Sequence, residues 1–324
     1  MEVVVIEADG VRKFYGGKVA LDDVSFRIER GEVVGFLGLN GAGKTTMLRI
    51  LCGLLLPSGG RVRVDGVDAV DQPLALRRAI GFLPDRPPLY GDMTVRDMLR
   101  YAGRLNGVAA RTLDQRVDEV IALTGLAHVA HDLVETLSHG YRQRAGIATA
   151  IIHAPRFVVL DEPISGLDPA QIVEMRSVIR GLKDKHTVLM SSHILGEVSE
   201  TCDRILVLHG GRIVAQGSEF ELARGTAHRV EIIARGAWAA LQEPTRLAVD
   251  GADEVETAAL DGGLVRIRAR FTNEEAREGL VRALVQAGFG VRSVIPLEND
   301  LEALFLKLTA GNTAVRAPAS GVAA

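Results

Sequence analysis

Val33-Val-Gly-Phe-Leu37-Gly38-Leu39-Asn40-Gly41-Ala42-Gly43-Lys44-Thr45-Thr46 sets the architecture of the residues around it. Its first five residues read as a strand buried on both faces. The next eight match G-x-x-x-x-G-K-[ST], and a helical pattern from Lys44 to about Leu55 follows. Glycines let such a loop curl until successive N–H groups point inward, where they cradle the phosphates of a nucleotide. Lys44 brings positive charge to the β and γ oxygens, and the start of the helix adds its own partial charge. Thr45 offers a hydroxyl to Mg²⁺. A chance glycine-rich turn lacks this strand–loop–helix context.

A loop of this kind implies nucleotide binding; hydrolysis needs more. Phe157-Val-Val-Leu160-Asp161-Glu162-Pro163 supplies it, as an apolar strand ending in two carboxylates. Asp161 is placed to hold the metal, and Glu162, one residue on, to orient and polarise an attacking water.

Outward from these two motifs, short β-rich runs alternate with helical patterns from Val3 to about Gly217. This alternation predicts an α/β unit with a largely parallel sheet. Val188–Ser191 and Ile205–Leu208 are further apolar strands. Between about residues 86 and 155 the pattern turns helical, over Thr94–Leu105 and Leu113–Leu123, as in a helical subdomain inserted between strands. The first unit is expected to span residues 1–225. A small α+β accessory domain follows over 226–310, with strands at Arg229–Ala234, Val255–Leu260, Leu264–Phe271 and Val291–Pro296. Its helices are predicted at Asn273–Ala287 and Leu301–Leu308. Residues 311–324 have little to bury and read as a disordered tail.

The chain has 324 residues, 47% of them apolar, which is enough for two ordinary cores. A net charge of −3 gives no electrostatic case for nucleic acid. Cys52 and Cys202 are too few for a disulfide framework. The N-terminal sequence MEVVVIEADG has no basic n-region, and no run of about twenty apolar residues occurs to span a bilayer. A membrane role is therefore expected from the cytoplasmic face, through a partner.

Leu137-Ser138-His139-Gly140-Tyr141-Arg142-Gln143-Arg144 lies between the loop and the carboxylates. Ser165-Gly-Leu-Asp168-Pro169 and Ser192-His193 follow them. In this order and spacing the set resembles the ATP-binding subunit of an ABC transporter, over about residues 3–220. The expected fold is thus an α/β phosphate-loop cassette with its helical subdomain, plus the C-terminal α+β domain. The LSxGYRQR form is similar to the branch that powers ABC-2 type exporters, including gliding-motility and multidrug-resistance ATPases. So is the ending Leu301-Glu-Ala-Leu-Phe-Leu-Lys-Leu308.

The resemblance implies a role for each position. Tyr15 would stack on adenine, and Gly38 through Thr46 would wrap the phosphates. Thr45, Asp161 and Asp85 would stand around Mg²⁺. Lys44, Glu162 and the switch histidine His193 would form the hydrolytic set. Ser138, Gly140 and Gln143 would belong to a signature that closes over the ATP of a second copy, and Asp168 would cross that interface. The resemblance further implies a separate transmembrane permease and no nucleic-acid partner, with the subunit peripheral on the inner face of the membrane.

Some positions depart from the family pattern. Asp85, in Gly81-Phe-Leu-Pro-Asp85, stands where glutamine is common, and is one methylene shorter. Leu39 replaces a frequent proline and Ile164 a frequent threonine; neither removes a needed donor. His139 stands where glycine or lysine is usual. Arg96, Arg100 and Arg104 form a stripe on one helix face, read mainly as solvated. The remaining histidines show no metal-ligand spacing. The competing class is a soluble ABC ATPase acting on ribosomes or DNA. Such proteins usually carry tandem cassettes or a long coiled coil, and neither pattern is present.

Overall fold

The computed structural model describes residues 4–223, 228–236, 252–271 and 274–296. The predicted helix at Leu301–Leu308 and the tail 311–324 lie outside the described residues. Two compact units divide between Glu219 and Phe220.

The first unit opens with β1 (Val4–Tyr15), β2 (Lys18–Glu29), β3 (Val33–Leu37) and α1 (Lys44–Leu51). β4 (Gly59–Val64), β5 (Val67–Asp68), α2 (Pro73–Ala79) and β6 (Ile80–Leu83) follow. Helices α3 (Val95–Leu105), α4 (Ala110–Leu123) and α5 (His139–Ile151) come next. The unit continues with β7 (Phe157–Leu160), α6 (Pro169–Leu182), β8 (Thr187–Ser192), α7 (Leu195–Ser199), β9 (Arg204–His209) and β10 (Arg212–Gly217). A short helix, α8 (Glu219–Ala223), spans the division.

A six-stranded sheet runs in the order β10-β9-β3-β8-β7-β6. All of its pairs are parallel except β10 with β9. Every residue of β3, β7 and β8 is buried, as expected of strands covered on both faces. Parallel pairing brings the C-terminal ends of β3, β8, β7 and β6 to one edge. That edge carries the loop after Leu37, His193, Asp161–Glu162 and Asp85 side by side, at the usual place for a ligand in an open α/β sheet.

A second sheet in this unit is antiparallel, in the order β2-β1-β4-β5. The sequence reading of one largely parallel sheet did not separate it. Its apolar side chains, among them Ile6, Val24 and Phe26, share a core with Phe36 of β3 and with Met47 and Leu48 of α1. α1 also ends earlier than its pattern suggested, at Leu51 rather than Leu55. Gly53 takes a left-handed φ of 63°, and its N–H and those of Cys52 and Leu54 turn back to close the helix.

The helical subdomain lies between β6 and β7. Thr94 caps α3, its hydroxyl accepting from Asp97 N at 3.1 Å. Arg96 and Arg100 each donate to α4 at 2.7 Å, to Asp118 and Asp114. Two members of the arginine stripe are therefore paired within the chain. At Gly146 a Cβ would sit 2.5 Å from Leu83 Cδ1, so glycine lets α5 dock closely on β6.

The second unit contains β11 (His228–Arg235), β12 (Ala252–Leu260), β13 (Leu264–Phe271), α9 (Glu274–Gln286) and β14 (Gly290–Pro296). Its strands form an antiparallel sheet in the order β12-β13-β11-β14. β13 alternates strictly, with Val265, Ile267, Ala269 and Phe271 buried. That face packs with Leu280 and Leu284 of α9 into a core of its own. No helix among the described residues is long and apolar enough to cross a membrane.

Candidate nucleotide site

The loop after β3 has the backbone its glycines permit. A Cβ at Gly38 would lie 2.5 Å from Leu208 O, and one at Gly43, where φ is 110°, would lie 2.6 Å from Ala20 O. No side chain caps the start of α1, so its first N–H donors face the concavity of the loop. Lys44 is 6% exposed; its Nζ donates to Gly38 O at 2.6 Å and lies 3.3 Å from Glu162 Oε1.

At the end of β7 the two carboxylates occupy different environments. Asp161 is 3% exposed, and burial pushes its pKa up. Hydrogen bonds from the Ser191 and Thr45 hydroxyls oppose that rise, while the charges of Glu162 and Asp85 add to it. Glu162 takes a left-handed φ of 50°, which is uncommon for a residue with a side chain. Its N–H donates to Ser191 Oγ at 2.9 Å, and its Oε2 lies 2.9 Å from His193 Nδ1. Ser191 Oγ in turn donates to Asp161 Oδ1 at 2.6 Å, so one hydroxyl holds both acidic residues. The sequence reading missed Ser191, because a serine inside an apolar strand carries no motif. Its neighbour Ser192 donates to Glu197 Oε2 at 2.5 Å and accepts from Ile194 N, which fixes the turn that presents His193.

Lys44, Thr45, Asp161, Glu162 and His193 line a cleft of ≈ 1040 Å³ together with Tyr15, Leu39, Asn40, Thr46 and Asp85. Tyr15, at the end of β1, is 48% exposed, and Lys13 Nζ lies 5.4 Å from its ring centroid. Lys18, Arg49, Arg86 and Ser165 also border the cleft and were not among the expected residues. Among the described residues no three or more His, Cys, Asp or Glu are placed together to cage a metal. The donors present are the Thr45 hydroxyl and the carboxylates of Asp161 and Asp85, all of them oxygen. That set suits Mg²⁺, which keeps several waters and takes further oxygens from phosphate.

Ser138, Gly140, Gln143 and Asp168 do not line this cleft. Ser138 is exposed and caps α5, accepting from Tyr141 N at 3.4 Å. Gly140 is buried, and a Cβ there would lie 2.7 Å from Gln171 Oε1. Gln143 is 2% exposed, because its helical phase turns it inward. Of the three signature residues expected to meet a second copy, the surface therefore presents only Ser138. Gly140 and Gln143 lie turned into the single chain, where Gln143 borders a second pocket beside His139. Asp168 caps α6, its Oδ1 accepting from Gln171 N at 2.9 Å.

Fold and cleft together define a phosphate-loop nucleotide hydrolase of the α/β class. The family model described as ABC transporter matches residues 21–165. The daunorubicin resistance ATP-binding protein DrrA3 of Streptomyces coeruleorubidus is 36% identical over 323 residues, 98% of this chain and 99% of that protein. The bacitracin transport ATP-binding protein BcrA of Bacillus licheniformis is 30% identical, covering 95% of this chain and 98% of the relative. Among solved structures, an ATP-binding subunit of an ABC transporter matches with a TM-score of 0.61 and 31% identity, over 68% of this chain and 92% of that one. A dimeric cassette in a post-hydrolysis state with ADP and Pi matches with a TM-score of 0.60 and 26% identity, over 66% and 98%. The chain belongs to the family of ABC transporter ATP-binding proteins and is an ATP-hydrolysing subunit of such a transporter.

Proposed function

We propose that two copies of this chain close around two Mg·ATP and drive export through a separate permease of the ABC-2 type. The carrying observation is the separation of Ser138 from the cleft of its own chain. The exposed cap of α5 is not part of the cleft that holds Lys44, Thr45 and Glu162, and in this reading it completes the site of a second copy.

Within a site the residues divide the work. Tyr15 offers a ring face to adenine, and the loop N–H groups and Lys44 hold the β and γ oxygens. Thr45 and Asp161 would hold Mg²⁺, which neutralises phosphate charge when bound, with Asp85 beside them at the border of the cleft. Glu162 polarises the attacking water, and His193 steadies the carboxylate from its other oxygen. Contacts to the γ-phosphate close the dimer, and hydrolysis removes them.

A groove of ≈ 420 Å³ beside α3 supports the permease reading. Tyr90, Tyr101 and Leu105 line it, and all three are exposed. Tyr90 and Tyr101 meet edge to face at 5.5 Å. Phe82, Pro84 and Leu54 belong to both this groove and the nucleotide cleft, so a change in the cleft reaches the groove through a shared wall. The names of the relatives, daunorubicin resistance and bacitracin transport, support export as the direction. Through the permease the subunit would sit on the inner face of the membrane.

Pull-down of the tagged chain from detergent-solubilised membranes tests this reading. A polytopic membrane protein should co-purify with wild type and be lost with Leu105→Glu. Recovery of ribosomal proteins or DNA, with no membrane protein, would favour the soluble class.

A further inference from the structure

His139 lies at the first turn of α5, one residue after Ser138. Its Nε2 is 3.2 Å from Ser165 O. A carbonyl oxygen only accepts, so Nε2 carries the proton and His139 is the donor. Ser165 N donates to Glu162 O at 3.2 Å, closing the turn Glu162-Pro163-Ile164-Ser165. This is the turn that holds Glu162 at its left-handed φ of 50°. Strained backbone of this kind persists only where its surroundings hold it. On one side Glu162 N is tied to Ser191 Oγ; on the other, Ser165 O is tied to His139. Gly166 follows with φ 74°, and a Cβ there would lie 3.6 Å from His139 Nε2, so the ring rests against the loop itself.

We propose that His139 is a positioning residue that couples the signature of each chain to the Glu162 of the same chain. The proposal rests on the two-copy reading above. In that dimer, Ser138 meets the ATP held by the other copy, while Glu162 serves the ATP held by its own. α5 is buried along most of its length and His139 adjoins Ser138 in its first turn, so a shift at Ser138 would be carried to His139. His139 passes it through Ser165 to the turn that aims the Glu162 carboxylate. Occupancy of one composite site is thereby felt as the geometry of the hydrolytic group in the other.

His139→Leu removes the donor at similar bulk, and His139→Gln keeps an N–H of similar reach. With His139→Leu, kcat should fall about three- to tenfold, the effect of one ordinary hydrogen bond. ATP affinity should stay within about twofold, because the ring lies outside the loop that binds phosphate. His139→Gln should restore most of kcat. Weakened ATP binding with kcat intact, or a failure of His139→Gln to rescue, would overturn the proposal.

Single-turnover hydrolysis in verified heterodimers locates the effect. One protomer carries Glu162→Gln, and His139→Leu is placed in either protomer. Slowing only when His139→Leu shares a chain with the intact Glu162 supports the coupling. Slowing from the other protomer, equal slowing from both, or slowing from neither contradicts it. Failure of the two-copy reading would show separately, as loss of ATP occlusion in mixed Lys44→Ala and Ser138→Arg dimers.

Discussion

Lys44 Nζ lies 3.3 Å from Glu162 Oε1, although β3 and β7, the strands they follow in the chain, are separated by β8. The long lysine side chain spans the end of β8 and ties the phosphate loop to the strand-end carboxylate. An incoming γ-phosphate competes for that ammonium, which leaves Glu162 to act on water with His193 still at its other oxygen. Glu162→Gln conserves the shape and loses the base. It should keep ATP affinity, lower turnover at least about 100-fold, and accumulate as an ATP-bound dimer in size-exclusion chromatography. Hydrolysis near the wild-type rate would show that another group activates the water.

Asp161 is held in the core at a cost to the folded chain. Its pKa is raised, chiefly by burial, so the native state binds a proton more tightly than the unfolded chain. The stability linked to this group is present below the unfolded-chain pKa and is lost as pH rises through the raised folded value. At neutral pH the buried charge is unfavourable. Asp161→Asn keeps an acceptor for Ser191 and removes that charge. Without nucleotide, Tm at pH 7 should rise by about 2 °C, and the gain should shrink on acidification. Mg²⁺-dependent ATP binding should be lost. A lower Tm would mean that the charge is compensated by more than the Ser191 and Thr45 hydroxyls.

Tyr15 is half exposed at the rim of the cleft, so its ring is free to take a base on one face. Tyr15→Ala should weaken ATP binding by about 1–3 kcal/mol, the range for loss of one base-stacking aromatic. Discrimination among nucleobases should change little, since a ring face reads no hydrogen-bond pattern. Unchanged affinity in titration calorimetry would assign Tyr15 to the surface of β1 alone.

The chemistry was legible where residue type and spacing both carry it. Lys44, Thr45, Asp161 and Glu162 stand at strand ends that apolar runs announce, and parallel pairing brings those ends together. Ser191 was not legible. Inside an apolar strand a serine differs from its neighbours by one hydroxyl, and only the register of β8 against β7 puts that hydroxyl between Asp161 and Glu162. Gly140 and Gln143 show a different limit. The motif assigns both to the site of a second copy, but it does not convey that the phase of α5 turns both inward in the single chain. The antiparallel sheet was also missed as a separate layer, because β4 returns to pair with β1 across a long sequence interval, Ile6 opposite Val64, that no local pattern encodes; only the β1–β2 hairpin is local.

Asp85 borders both the nucleotide cleft and a second pocket that includes His139 and Gln143. It is exposed, and its charge is among those that raise the Asp161 pKa. Asp85→Gln should leave the basal ATPase of the isolated subunit within about threefold, or raise it, if the position relays the state of the site rather than holding metal. A loss beyond about tenfold, or about 1.4 kcal/mol of barrier, would place Asp85 among the metal ligands.

The two-copy site is tested most directly by mixing two kinds of damage. Lys44→Ala disables the phosphate loop, and Ser138→Arg places a large side chain on the exposed cap of α5. Neither homodimer should occlude ATP. In a heterodimer co-purified through two different tags, one site combines the damaged loop with the damaged signature. The other combines an intact loop with an intact signature. Trapped nucleotide, rather than ATPase rate, is the readout, because one dead site is able to stall the cycle. Verified heterodimers should occlude ATP at one site in two. Heterodimers that trap no more nucleotide than either homodimer would contradict the two-copy site.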